Sequence, residues 1–269
     1  MPVPEVIHQQ LIDAYKVYLV LGGMPEVVSV YVDTRNWDEV RAIQDAILQS
    51  YSLDFAKHIS NKDIPRVFQL WGNLQDQLAR EDKKFRYADV QKGARAREYE
   101  GAIEWLCLAG LVHRVSAIET PRLPLSAYKK SNAFKLYLND VGLLGRKFGL
   151  DALTVLLGDN LFTEFKGVMA ENYVLQSLVR QFGDQHYYWT SGNTAEVEFV
   201  LQQAGRIIPV EVKADKNVAA KSLAFYRKLY QPQMSIRLST LNMRKDDDLL
   251  NLPLYLVDKL KMFVEKTVQ

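Results

Sequence analysis

Two apolar segments in the last third of the chain carry charged residues at regularly spaced positions. Residues 195–214, AEVEFVLQQAGRIIPVEVKA, indicate two strands joined by a turn at Ala204-Gly205. Four ionisable residues away from the turn interrupt these strands: Glu196, Glu198, Glu211 and Lys213. Because side chains alternate along a strand, all four are predicted to share one face of the hairpin. Carboxylates gathered in this way are the residue types that hold a divalent cation.

Pairing across this turn places Glu198 opposite Glu211 and Glu196 opposite Lys213. Opposed carboxylates on neighbouring strands repel each other and lower stability. A divalent cation between Glu198 and Glu211 would reverse that penalty, with Lys213 beside the site as a fixed positive charge. The alternative is a solvated face whose charges keep the hairpin soluble, but the apolar runs favour buried strands, where unpaired charges are costly. The opposite face is predicted to join the core: Val197, Phe199, Ile208, Val210 and Val212.

Whole-chain composition narrows the class of protein. The 269 residues suffice for one large domain or two smaller ones, and 48% hydrophobic with 25% charged residues is ordinary globular composition. A net charge of +2 neither requires nor excludes nucleic acid. The single Cys107 excludes an intrachain disulfide and a multi-cysteine metal site. Since the chain has neither a long apolar run nor a signal-peptide pattern, we expect a soluble cytoplasmic protein without membrane partners.

The order of predicted elements divides the chain into three parts. Residues 1–60 are helical, with one helix stopping at Gly22-Gly23 and another capped by Thr34 or Asn36. Residues 61–149 give helix, turn, helix and then two strands, which is the winged helix-turn-helix order. Residues 150–269 give helix, three strands, helix and strand, which is typical of an α/β sandwich with a mixed sheet. The predicted fold class is therefore α + α/β.

Basic residues cluster around the turn of the predicted winged helix. Lys92, Arg95 and Arg97 lie at the start of the helix that would read DNA, where contacts with phosphates are useful. Acidic neighbours such as Asp89 and Glu98 dilute this cluster. A nucleic-acid-binding surface and a plain solvated face both remain open.

The chain resembles the PD-(D/E)XK nuclease superfamily in three features: Glu198, the Glu211-x-Lys213 pattern on the next strand, and a preceding helix with Glu171. More closely, the chain resembles the C-terminal region of a prokaryotic family of AAA-type ATPases, in which a winged helix precedes a restriction-endonuclease-like domain. Six segments carry this closer resemblance: YLVLGGMPEVV (18–28), AIEWLCLAGLV (102–112), FKLYLNDVGLL (134–144), AENYVLQSL (170–178), YYWTSGNTAEVEFVL (187–201) and IIPVEVKA (207–214).

The resemblance implies a role for each residue that matches the nuclease motif. Glu198 and Glu211 would hold magnesium or manganese, and Glu171 would bind the metal directly or through water. Lys213 would orient the attacking water or stabilise the developing negative charge. Position 198 is commonly aspartate in that superfamily, and the extra methylene of Glu198 changes its reach to a metal.

The resemblance also implies an ATPase module upstream, with residues 1–60 as the remnant of its lid or linker. No segment of the chain fits G-x-x-x-x-G-K-[ST], so we expect that this chain does not bind ATP. Two functions remain open at this stage. One is a metal-dependent nuclease that hydrolyses phosphodiesters of DNA or RNA; the other is a non-catalytic winged-helix interaction module with a vestigial nuclease fold, which recruits a nucleic acid or a protein to the ATPase.

Overall fold

The computed structural model describes residues 2–157, 160–192, 194–214 and 221–266, and these form a mixed α/β structure. No helix within those ranges is long and apolar enough to cross a membrane. The helices are α1 (Glu5–Leu21), α2 (Pro25–Thr34), α3 (Trp37–His58), α4 (Ile64–Ala79), α5 (Tyr87–Val90), α6 (Ala96–Leu108), α7 (Val141–Lys147), α8 (Ala152–Leu157), α9 (Asn160–Phe182), α10 (Lys221–Tyr230) and α11 (Leu260–Lys266). The strands are β1 (Val112–Ile118), β2 (Lys129–Leu138), β3 (His186–Thr190), β4 (Glu196–Gln203), β5 (Arg206–Lys213), β6 (Ser235–Ser239), β7 (Arg244–Asp246) and β8 (Leu249–Pro253).

The helix boundaries near the N-terminus follow the predicted signals. α1 ends immediately before Gly22, whose φ of 71° lies in the left-handed region that favours glycine. Asn36 caps α3, since its side chain accepts a hydrogen bond from the backbone N–H of Asp38. The prediction of both boundaries is confirmed.

Gly22 and Gly23 belong to a tight structural turn. The Asp140 carboxylate accepts hydrogen bonds from the N–H of Gly23 at 2.7 Å and from the N–H of Leu143 at 2.9 Å. A Cβ on Gly142 would lie 2.4 Å from the carbonyl oxygen of Leu21. Gly22, Gly23 and Gly142 therefore allow two backbone segments to approach closely, and Asp140 holds these segments together.

The predicted order of helix, turn, helix and two strands is present as α4, α5, α6, β1 and β2. The two strands do not stand alone, because β1 also pairs in parallel with β3 from Val115↔His186 to Ile118↔Trp189. The pair therefore extends a larger sheet.

The sheet has eight strands in the described part of the chain, in the order β2-β1-β3-β4-β5-β6-β8-β7. β3, β4 and β5 are antiparallel neighbours, whereas β5, β6 and β8 run parallel. The predicted order of helix, three strands, helix and strand is thus present as α9, β3, β4, β5, α10 and β6. Helix α10 is described from Lys221, and residues 215–220 lie outside the described residues.

Packing divides the chain into two compact units that differ from the three consecutive parts of the sequence prediction. One unit, the sheet unit, contains residues 1–15, 115–134 and 173–269. The other, the helical unit, contains residues 16–114 and 135–172. The sheet unit has a core that includes Trp189, Val197 and Tyr226, all at most 1% exposed.

Candidate metal and nucleic-acid sites

The β4–β5 hairpin has the predicted register. Its pairs run from Gln203↔Arg206 to Phe199↔Val210, which places Glu198 and Glu211 at the next positions towards the open end. The five side chains predicted for the opposite face, from Val197 to Val212, are all buried. The alternation of apolar and charged residues therefore predicted both the register and the core-facing side correctly.

Burial excludes the interpretation of the charged face as a solvated surface. The side chains of Glu211 and Glu198 are only 2% and 14% exposed. Glu198 also accepts a hydrogen bond from the backbone N–H of Val212 through Oε2 at 3.2 Å. This hydrogen bond ties the Glu198 carboxylate to the strand that carries Glu211.

Lys213 contacts both carboxylates. Its Nζ lies 2.6 Å from Oε1 of Glu211 and 3.9 Å from Oε1 of Glu198. The sequence places this lysine beside the pair as a fixed charge, but in the structure its ammonium is the cation shared by the two carboxylates. Their mutual repulsion is therefore offset within the chain itself.

Sequence reasoning missed a polar row that continues from Glu211 across the sheet. Arg237 on β6 is the cross-strand partner of Glu211, and Asn251 on β8 is the partner of Arg237. The Nε of Arg237 donates to Oδ1 of Asn251 at 2.9 Å, and the Ser239 hydroxyl donates to the same oxygen at 2.8 Å. Only the alternation of SIRLS, residues 235–239, could have drawn attention to this row.

Burial and nearby carboxylates shift the pKa of Arg237 in opposite directions. Partial burial lowers the pKa of the Arg237 guanidinium, although the charges of Asp246 and Glu211 act in the opposite direction. Glu211 is therefore associated with two cations, Lys213 on its own strand and Arg237 on the next.

Glu171 lies near the end of the helical unit and is 5% exposed. Its Oε1 accepts a hydrogen bond from the Lys83 ammonium at 3.1 Å, and its Oε2 accepts one from the Tyr137 hydroxyl at 2.8 Å. Burial acts to raise the pKa of Glu171. The charges of Lys83 and Lys135 and the two hydrogen bonds outweigh that effect and hold this pKa below its ordinary value. Glu171 is thus an ionised, buried carboxylate, and its predicted grouping with Glu198 and Glu211 stays a prediction.

A metal cluster requires several donor side chains close together. Within the described ranges, no group of three or more His, Cys, Asp and Glu side chains is arranged to hold a metal ion. Among the predicted metal ligands, Glu198 and Glu211 both lie within 4 Å of the Lys213 ammonium.

The three predicted nucleic-acid-binding residues are exposed. Lys92 lies between α5 and α6, Arg95 immediately precedes α6, and Arg97 lies in its first turn. Other basic residues of the same segment have acidic partners, since Arg80 pairs with Asp89 and Lys83 with Glu171. Lys92, Arg95 and Arg97 are therefore cations presented to solvent, as is Arg86, which pairs with Asp82.

Comparisons with known proteins give two domain families and no individual relative. No curated protein and no solved structure matches the chain. Residues 166–256, which include Glu171, Glu198, Glu211 and Lys213, match a domain of unknown function (DUF4143). Residues 12–154 match another domain of unknown function (DUF8612), and that match covers more than half of the chain. The chain therefore belongs to the DUF8612 family.

Proposed function

We propose that Glu198, Glu211 and Lys213 form a divalent-metal site at which phosphodiester bonds of DNA are hydrolysed. One observation carries the proposal: the buried carboxylate of Glu211 and the largely buried carboxylate of Glu198, on adjacent strands, already share one cation within 4 Å. Nearly complete burial of a charged group lowers stability unless an opposite charge or a ligand compensates it. The two carboxylates thus fit magnesium or manganese, with Lys213 displaced towards a substrate.

Each residue has a defined part in this proposal. Glu198 and Glu211 would hold the metal, which when bound would polarise the phosphate and activate water. Lys213 Nζ carries protons that can be donated to a phosphate oxygen, so it stabilises negative charge in the transition state. Arg237, the cross-strand neighbour of Glu211, adds a second cation on the same sheet face. Glu171 is proposed to assist directly or through water.

The wider setting is proposed as the C-terminal region of an AAA-family ATPase, with ATP bound by an upstream module. The match to DUF4143 supports this setting, because that domain is commonly found with AAA ATPases. Exposed Lys92, Arg95 and Arg97 support a DNA contact on a winged helix formed by α4 to β2.

A nuclease assay with labelled DNA and manganese tests the proposal. The unmodified chain should cleave, whereas Glu211→Gln and Lys213→Ala should lose activity by at least about a hundredfold, which is typical of lost electrostatic stabilisation. Glu265→Gln is the matched control, because Glu265 is exposed and near the turn end of β4, where it contacts Gln203. Equal cleavage by wild type and Glu211→Gln would contradict the proposal.

A non-catalytic interaction module is the second candidate, and one observation favours it. Both Glu171 oxygens have partners from their own unit, Lys83 and Tyr137, which is typical of a structural ion pair. In that case the carboxylates and Lys213 only stabilise the fold, and the chain acts as a winged-helix interaction module with a vestigial nuclease fold that recruits a partner to the ATPase. DNA binding without cleavage in any divalent metal would support this second function.

A further inference from the structure

A cavity of about 270 Å³ lies next to the turn of the β4–β5 hairpin and belongs entirely to the sheet unit. It is separate from the carboxylate site, because Arg206 at its edge and Lys213 occupy opposite ends of the eight-residue strand β5. At roughly 3.3 Å per residue, these ends are about 23 Å apart. The residues that define its chemistry are Leu123, Arg206, Tyr226, Tyr230, Gln231 and Gln233.

One wall of the cavity is an aromatic cluster that holds an exposed ring in place. Tyr230 is 40% exposed, yet its ring lies 4.9 Å from that of Tyr226 and 5.8 Å from that of Trp189. The Tyr230 hydroxyl also donates to the carbonyl oxygen of Glu119 at 3.3 Å. A fixed and accessible ring of this kind is suited to stacking against a planar ligand.

The remaining groups provide hydrogen bonds and one positive charge. Gln231 and Gln233 are exposed amides that both donate and accept, and Arg206 adds a guanidinium. Tyr226 is 1% exposed, and its hydroxyl has no hydrogen-bond partner in the described part of the chain. Buried hydroxyls normally have a partner, so this group marks a place where a ligand can supply one.

Charge and size restrict the ligand further. None of the residues that line the cavity is Asp or Glu, so the lining suits a neutral or anionic ligand rather than a cation. The volume is close to the lower end of about 300–1,000 Å³ that is usual for ligand pockets. It therefore suits one ring-sized group with its substituents and not a large cofactor.

We propose that this cavity binds a nucleotide, with the base against Tyr230 and the glutamine amides and the phosphate beside Arg206. A nucleobase provides a flat face and an edge of donors and acceptors, and its phosphate provides the anion. This site goes beyond the proposed metal-dependent function and does not depend on it. The nucleotide can come from the free pool or from a single-stranded nucleic acid.

Calorimetry with the full chain in EDTA tests the proposal without the metal site. The four ribonucleoside monophosphates, their nucleosides and a short single-stranded DNA are the probes. We expect at least one monophosphate to bind, and Tyr230→Ala to weaken its binding about tenfold or more, whereas Tyr230→Phe retains stacking. Tighter binding of DNA than of any monophosphate, if Tyr230→Ala also weakens it, assigns the site to a strand, and the reverse assigns it to free nucleotides.

Two further variants separate ligand recognition from loss of structure. Arg206→Gln should remove the preference for a monophosphate over its nucleoside. Tyr226→Phe should weaken binding without lowering the midpoint of urea unfolding, because the removed hydroxyl has no partner in the described residues. No binding of any nucleotide, or equal affinity for wild type and Tyr230→Ala, would overturn the proposal.

Discussion

Lys213 Nζ lies 2.6 Å from Oε1 of Glu211, at the open end of the β4–β5 hairpin. The lysine, two residues along the same strand, supplies the positive charge that a metal would otherwise supply to the buried carboxylate. The metal-free chain is therefore expected to be a stable, charge-compensated state and not a strained one.

Removal of the Lys213 ammonium should expose the repulsion between the carboxylates. Lys213→Met keeps the aliphatic part of the side chain, and we expect the free energy of unfolding without metal to fall by about 1–3 kcal/mol. This range lies below the 3–5 kcal/mol of a fully buried pair, because the Lys213 side chain is 27% exposed. Urea unfolding in EDTA measures the change. The exposed Lys245→Met is the control, and an equally small effect of both substitutions would show that Lys213 compensates no buried charge.

Acid should weaken the fold through Glu171. Because its pKa in the folded chain lies below the ordinary value of 4.5, its contribution to stability is present above pH 4.5 and is lost as the pH falls through the folded pKa. Wild type should therefore exceed Glu171→Gln in the free energy of unfolding at pH 7, and the difference should shrink below pH 4.5. Urea unfolding at several pH values measures both. A difference that stays constant down to pH 3 would show that the ionised Glu171 is not stabilised by Lys83, Lys135 and Tyr137.

The close approach of two backbone segments predicts opposite effects of two glycine substitutions. Gly142→Ala places a Cβ 2.4 Å from the carbonyl oxygen of Leu21, so we expect overpacking to lower the free energy of unfolding by about 1–3 kcal/mol. Gly72→Ala is the matched change at an open position of helix α4, where the added Cβ would have no atom within 4 Å. It should raise the free energy of unfolding by about 0.5–1 kcal/mol. Thermal unfolding ranks the three proteins. Equal stabilities of the two variants would contradict the tight turn at Gly22-Gly23.

Local signals predicted the elements well because their causes lie within a few residues. The N-cap at Asn36, the helix stop at Gly22 and the register of the β4–β5 hairpin each depend on neighbours in the sequence. The contacts of Arg237 with Asn251 and of Lys83 with Glu171 join residues that are distant in the sequence. The sequence pattern placed Lys213 beside Glu198 and Glu211, whereas the pairing of Arg237 with Asn251 and of Lys83 with Glu171 emerged only from the structure.

DNA binding, if it uses the predicted surface, depends on three exposed cations. Alanine at Lys92, Arg95 and Arg97 should weaken binding and reduce the slope of log affinity against log salt by about 2–3, since each lost phosphate contact changes it by roughly 0.9. The control variant replaces the exposed Lys259, Lys261 and Lys266 with alanine, which removes the same number of positive charges. Fluorescence anisotropy at several salt concentrations measures both. A triple variant with the affinity and slope of wild type would show that this surface does not contact DNA.

The most direct test of the metal site is the change in melting temperature that manganese produces in wild type and Glu211→Gln. Wild type should gain stability as RT ln(1 + [L]/Kd), about 2.7 kcal/mol at a hundredfold excess over Kd. Glu211→Gln keeps the shape of the side chain but removes its charge, so the gain should disappear, while the exposed Glu265→Gln should retain it. Because Glu211 contacts Lys213, the metal-free Glu211→Gln protein should be no more stable than wild type. Equal manganese-induced gains in wild type and Glu211→Gln would contradict the metal site and the nuclease proposal that depends on it.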